Sequence, residues 1–158
     1  MNEYPIARVV HVLAVVLWIG GVAMVTTVIL PAVRGMVAPE DRITTFEAIE
    51  HRFSWQARTT SLIAGLSGFY LIHLIDGWSR FSEPAYWWMH AMVFIWVAFT
   101  LILYLLEPLL LRRLFLREAT RRPEATFAFL QRMHWTLLTL SLVTTAGAVA
   151  GSHGWLLF

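Results

Sequence analysis

Four long apolar stretches dominate this chain and leave little choice of fold. They run over residues 9–33, 59–75, 86–111 and 127–150, the first broken only by His11. A helix needs about 20 apolar residues to cross a hydrocarbon core roughly 30 Å thick. Each stretch is apolar nearly all the way round, unlike the one-sided stripe of a soluble surface helix. The expectation is an all-α integral membrane four-helix bundle forming a single domain over 1–158. Its helices are placed at approximately 6–33, 55–76, 86–112 and 123–151. The second is short unless Trp55 and Trp78 mark its two interfaces. The first is too long for a signal-peptide core and lacks a basic leader, so it is expected to be retained.

Arginine sets the orientation. The chain has no lysine, so all twelve basic residues are arginine. Arg34, Arg42, Arg52 and Arg58 fall in or beside the first connection. Arg112, Arg113, Arg117, Arg121, Arg122 and Arg132 fall in or beside the third, and only Arg8 and Arg80 lie on the opposite side. The positive-inside rule then puts both termini and the 76–84 loop outside, in the periplasm if the membrane is a bacterial cytoplasmic (inner) membrane. Within the first cytoplasmic loop, Pro39-Glu40-Asp41 makes a good helix start. Ile43, Phe46, Ile49 or Glu50, and Phe53 follow at helical spacing. The pattern predicts a short amphipathic helix lying on the inner membrane surface. Arg122-Pro123-Glu124 is a similar start and predicts that the last helix begins below the membrane.

Composition narrows the chemistry. The net charge of +2 and the lack of a basic stripe argue against nucleic acid as a partner. Zero cysteines exclude disulfides, thiolate metal sites and covalently attached c-type haem. No Ser-His-Asp set, phosphate-cradling glycine loop or soluble zinc motif is present, so the sequence names no catalytic residue.

Histidine is the informative residue type. His11, His73, His90 and His153 each fall near the outer end of a different helix, whereas His134 lies about two turns in from the cytoplasmic side. Ionisable groups within a membrane are costly and usually mark a functional site, and imidazole is the commonest metal ligand. The alternative is that these are interfacial or packing histidines. For a b-type haem, His11 and His90 are the leading axial ligands, with His153 in reserve and His134 for any inner haem. Arg8, one turn from His11, and Arg80 would face the propionates. For copper, His11, His90, His153 and His73 join the thioethers of Met89 and Met92, which suit Cu(I).

Gly20-Gly21 and Gly65-x-x-Gly68 would let helix backbones or a flat cofactor come close. His134, Ser141, Thr145 and Ser152 share a face of the last helix, either for interhelical hydrogen bonds or as a polar route. Glu107 is expected to pair with Arg112 or another interfacial arginine. The tryptophans at helix ends (Trp55, Trp78, Trp87, Trp88, Trp135 and Trp155) fit interfacial belts.

The stretch from Arg8 through His11 and Trp18 to Gly20-Gly21, with Leu30-Pro31 beyond, resembles the first helix of the copper-resistance D (CopD-like) membrane family. That family is similar in turn to HemJ-type four-helix haem membrane proteins. His134 in Gln131-Arg-Met-His-Trp and His153 in Gly151-Ser-His-Gly fit the same pattern. The resemblance implies a membrane protein using histidines for copper handling or b-type haem. HemJ-type proteins also depend on a lysine, which this chain lacks.

Three functions follow as expectations. The first is a haem-b protein of membrane electron transfer, with quinol or a periplasmic electron carrier as partner. The second is a copper-binding or copper-transporting protein that works with a periplasmic copper carrier. The third is a structural subunit of a larger respiratory membrane complex. The lipid bilayer is a partner in all three, and a homodimer or larger membrane complex is an open assembly state.

Overall fold

The computed structural model describes residues 3–155, apart from the side chains of Leu111 and Arg112. It is 94% helical, and no strand occurs among the described residues, which makes the protein all-α. We number the helices α1 (Glu3–Met36), α2 (Arg42–Leu74), α3 (Trp87–Leu101), α4 (Arg112–Arg121) and α5 (Pro123–Ser152). Three segments, Glu3–Met36, Pro84–Leu110 and Pro123–Ser152, are long and apolar enough to cross a membrane, which marks the chain as a membrane protein. Their outward faces carry large apolar side chains, among them Val16, Phe94 and Val143. Lipid-facing surface is the natural setting for such groups.

Among the described residues two π-helical segments interrupt the helices, and each accompanies a proline. In α1 the π segment Val25–Ile29 precedes Pro31. A proline in a helix cannot donate to the carbonyl four residues back and its ring collides with that carbonyl, so the helix widens locally. Thr26 and Thr27 assist by donating side-chain hydroxyls to the carbonyls of Val22 and Ala23, at 2.7 and 2.8 Å. The second π segment, Ile102–Leu111, contains Pro108 and joins α3 to α4.

Helix α2 corrects the expected surface helix. Residues from Arg42 to Leu74 form one continuous 33-residue helix, about 50 Å long at 1.5 Å per residue. Its first turns are not a separate short helix. Ile43 and Phe46 are buried in a cluster with Val25, Leu30, Val33, Ala119, Phe127 and Leu130, supplied by α1, α4 and α5. The stripe at 43, 46 and 53 is therefore apolar because other helices cover it. The helix starts at Pro39 and Pro123 fall where the sequence placed them, as a 3₁₀ turn leading into α2 and as the first residue of α5.

Helix α1 packs along α2 and α3 along α5, while α2 also meets α3 and α1 meets α5. A second buried cluster, Ala14, Trp18, Ala64, Ile95 and Phe99, ties α1, α2 and α3 together farther from the arginine-rich end. Three indoles of α3 plug into glycine notches on its neighbours. Trp96 occupies the space a side chain at Gly65 would need, Trp87 that at Gly147 and Trp88 that at Gly151. Trp87 and Trp88 thus face neighbouring helices, whereas Trp55, Trp78, Trp135 and Trp155 are exposed as an interfacial belt requires.

Candidate functional site

The histidines at the end opposite the arginines are engaged one by one. His11 Nδ1 lies 2.9 Å from the carbonyl oxygen of Ala64 and 3.2 Å from Ser67 Oγ. A carbonyl only accepts, so Nδ1 carries a proton. The ring rests on Gly68, where a Cβ would stand 3.0 Å from His11 Cε1. His90 is exposed, donates from Nε2 to the Phe81 carbonyl at 3.0 Å, and meets the Phe81 ring edge-on. His153 is exposed and donates from Nδ1 to the Val149 carbonyl at 2.8 Å. His73 and Arg8 are exposed, Met89 is buried and Met92 half-buried. Arg80 places its guanidinium 5.2 Å from the centre of the Tyr86 ring, a cation–π contact. Among the described residues, no group of three His, Asp or Glu side chains stands close enough to hold a metal ion.

The hydroxyls along α5 bond within their own helix. Ser141 donates to Leu137, Thr145 to Ser141 and Ser152 to Val149, at 2.8 to 2.9 Å. Neither the interhelical bonds nor the polar route expected of that face is needed to satisfy them.

One concavity lies toward the arginine-rich end. A cavity of about 550 Å³ opens between the five helices and the second π segment, within the size range of small-molecule sites. Its α1 wall is Leu17, Trp18, Gly21, Val22 and Val25. A Cβ on Gly21 would meet nothing within 4 Å, so this glycine leaves open space where the Gly65-x-x-Gly68 pair is filled by Trp96 and His11. The aromatic walls are Trp18, Phe46, Phe53, Phe99 and Phe115. His134 lines the cavity with Nδ1 donating to the Leu130 carbonyl at 3.0 Å and its ring edge-on to Phe46.

Charge gives the cavity its character. Glu47 and Glu50 from α2 and Glu107 from the π segment line it together with His51, and no arginine is among the described lining residues. Glu107 is held 3.2 Å from Arg58 Nη2, so the interfacial arginine it pairs with is Arg58, while the Arg112 side chain lies outside the described residues. Burial pushes the Glu50 carboxyl up to about 7, with the negative charges of Glu107 and Glu47 adding to the effect and Arg58 opposing it. Glu50 sits on α2 below the 55–76 span and is half-buried. Two buried donors here have no partner, the Trp18 indole N–H and Arg58 Nε. Trp18 is only 6% exposed and stands edge-on to Phe99 at 4.9 Å. An unpaired buried donor beside a cavity is an unmet hydrogen-bonding demand.

Sequence reasoning missed this site although one signal was visible. Glu50 shares the stripe of Ile43, Phe46 and Phe53, and a carboxylate among core-facing positions is costly unless it serves something. No family model, curated protein or solved structure matches this chain, so the arrangement has to be read from its own residues.

Proposed function

We propose that the chain is a four-helix bundle crossing a bacterial cytoplasmic membrane four times, with both termini outside. Its function in this reading is to bind an amphiphilic organic cation in the cavity at its cytoplasmic end. The apolar residues 59–75 of α2 supply the fourth span, and ten of twelve arginines at one end support the orientation. One observation supports the ligand class, namely a cavity with aromatic walls and three carboxylates and with no arginine among its described lining residues. A small metal ion needs several ligands converging on one point, and the absence of such a group among the described residues favours a large cation with spread charge. Such a ligand gains from carboxylates at a distance and from aromatic faces together.

The test uses two ions of the same shape. Tetraphenylphosphonium is expected to bind the detergent-purified protein saturably and tetraphenylborate not at all, as read by equilibrium dialysis against empty micelles. Glu107→Gln together with Glu47→Gln should weaken the cation at least tenfold. Equal uptake of both ions would mean simple partition into apolar surface and would end the proposal.

A second reading, b-type haem in membrane electron transfer, is favoured by the histidine tautomers. His134 and His11 both commit Nδ1–H to a carbonyl, the support that metal-ligating imidazoles commonly have. Haem would supply one-electron chemistry, and His134 would present Nε2 within a cavity of adequate size. Carboxylates around the cavity oppose the anionic propionates, which ranks this reading second. A Soret band that shifts on reduction, lost in His134→Ala, would establish it; a band lost in His11→Ala would place the haem at the opposite end. A colourless protein from haem-replete cells would sink it.

A further inference from the structure

The cavity is long in the direction of the helix axes. Its lining takes Val25, Ile43, Phe46 and Leu130 from the buried cluster nearer the arginines, and Trp18 and Phe99 from the cluster farther away. Along α1 it runs from Leu17 to Val25, about 12 Å at 1.5 Å per residue, and along α2 from Ile43 to Ala57, about 21 Å. Its two ends differ in chemistry. The carboxylates and imidazoles among the described lining residues come from α2 up to His51, from Glu107 and from His134, whereas α1 and α3 contribute only apolar side chains and Gly21. Glu50 and His51 fall between Phe46 and Phe53, which pack in the nearer cluster, and Glu107 follows Phe99 by about two turns.

At the apolar end the cavity reaches the lipid-facing side of α1. Leu17 lines the cavity and yet is 52% exposed, and it stands inside the apolar span of α1, where exposed surface meets lipid. Gly21 follows one turn later on the same face, and nothing lies within 4 Å of a Cβ placed there. Between the hydrocarbon layer and this end of the cavity, α1 therefore places one leucine side chain and one glycine. An apolar recess of this kind holds alkyl groups better than it holds water.

The geometry points to a membrane-borne ligand: a single-chain amphiphile that enters from the lipid past Leu17 and Gly21, lays its alkyl tail along Val22 toward Phe99, and leaves its headgroup among Glu50, Glu107 and His134. The positive charge of that headgroup rests on the cation-site reading above, whereas the tail and its side entrance rest on Leu17, Gly21 and the apolar lining. A ligand arriving this way is already concentrated in the bilayer and needs no aqueous channel. Its tail leaves one hydrocarbon surrounding for another, so lengthening it adds little affinity. The position of the tail, not its length, therefore identifies the mode of binding.

The experiment is photolabelling of the full-length protein in phosphatidylcholine nanodiscs with a dodecyltrimethylammonium ion that carries a diazirine near the end of its tail. Labelled residues are mapped by mass spectrometry. Trp18 and Phe99 are the reporters, because they line the cavity and, at 6% and 5% exposure, are shielded from the bilayer. Val16 and Phe94 are exposed and report probe that merely dissolves in the lipid. Label is expected on Trp18 and Phe99 and should disappear with excess unlabelled dodecyltrimethylammonium, while label on Val16 and Phe94 should persist. Gly21→Phe should cut the reporter signal about tenfold by overpacking the recess. Gly20→Phe, at an exposed position with equally open space, should leave it unchanged. Leu17→Ala should raise the labelling rate, a readout that stands if Gly21→Phe fails to fold. The same tail on a sulfonate should leave both reporters unlabelled. Label confined to Val16 and Phe94, in a preparation that binds tetraphenylphosphonium saturably, overturns the proposal and leaves the cation site standing. Reporter label that is indifferent to both Gly21→Phe and Leu17→Ala refutes the side entrance. Equal reporter label from sulfonate and ammonium supports the tail position and overturns the cation-site reading.

Discussion

Replacing Gly65 by alanine is the sharpest test of how these helices are held together. The Trp96 indole occupies the place where the new methyl group would go, and it belongs to a rigid ring on a neighbouring helix. Trp96 also donates its indole N–H to the Ser61 carbonyl of α2 at 2.9 Å, and any shift that admits the methyl stretches this bond. Overpacking typically costs about 1–3 kcal/mol, and weakening a part-buried hydrogen bond adds about 1 kcal/mol. Alanine returns about 1 kcal/mol through helix propensity. The net expectation is a destabilisation of about 2 kcal/mol, read as a lower midpoint in SDS or thermal unfolding of the detergent-solubilised protein. Gly35→Ala is the control, because nothing lies within 4 Å of a Cβ there; it should be neutral or stabilising by up to about 1 kcal/mol. In a double-mutant cycle, Trp96→Phe should recover much of the Gly65→Ala loss, since the smaller ring frees the notch. If Gly65→Ala is as stable as wild type while Gly35→Ala behaves as stated, the indole notch does not hold α2 against α3.

Other consequences are measurable with the same preparations. Glu50 titrates in the folded chain at about 7 instead of the ordinary 4.5, so folding favours its protonated form. Its contribution is then fully present below pH 4.5 and is lost as pH rises through 7, by about 3 kcal/mol at full burial and roughly half that for a half-buried group. Glu50→Gln should flatten the stability profile over that window, and an unchanged profile would contradict the burial of this carboxyl. Arg58 opposes the rise, so Arg58→Gln should carry this loss of stability to higher pH; a window that stays or moves to lower pH would refute that opposition. The chain has no cysteine, so Ser79→Cys and Ala125→Cys give clean topology probes in intact cells. Ser79→Cys should react with an impermeant maleimide and Ala125→Cys only after permeabilisation, the reverse pattern inverting the proposed orientation.

Hydrophobic periodicity and proline placement make the helices legible in the sequence, down to the starts at Pro39 and Pro123. The continuity of α2 is not legible there, because the stripe at 43, 46, 50 and 53 suits a membrane surface as well as a crevice between helices. Histidine positions show the same limit. Spacing fixes depth along a helix axis, so four histidines fall at one level, but rotation about the axis comes from packing between helices. The turn of α1 brings His11 onto the α2 carbonyls, while His90 and His153 are exposed. The tryptophans of α3 read as belts because interfacial and notch-filling indoles look alike in sequence. Glu50 is a cavity residue whose chemistry contradicts its apolar stripe, and that contradiction is the kind of signal a sequence does carry.

The proline at 108 connects these observations to function. Pro108 lacks the N–H that would bond to the Tyr104 carbonyl, and the ten residues around it run as a π segment. That widened turn sets the direction of Glu107, whose carboxylate reaches Arg58 and the cavity. Alanine at 108 restores a donor and removes the ring, so the segment is free to tighten into an α-helix, with a gain of up to about 3 kcal/mol. Tightening turns the helix about its axis, and Glu107 then leaves both Arg58 and the cavity wall. Pro108→Ala should therefore unfold later than wild type yet bind tetraphenylphosphonium several-fold more weakly, a trade of function for stability. The two readouts separate the possible causes. A variant that is more stable and binds equally well would show that Glu107 is positioned by Arg58 alone, with the π segment a mere accommodation of the proline. A variant that is less stable would show that surrounding helices have fitted themselves to the wide turn, since relaxing it then costs packing that the new hydrogen bond does not offset.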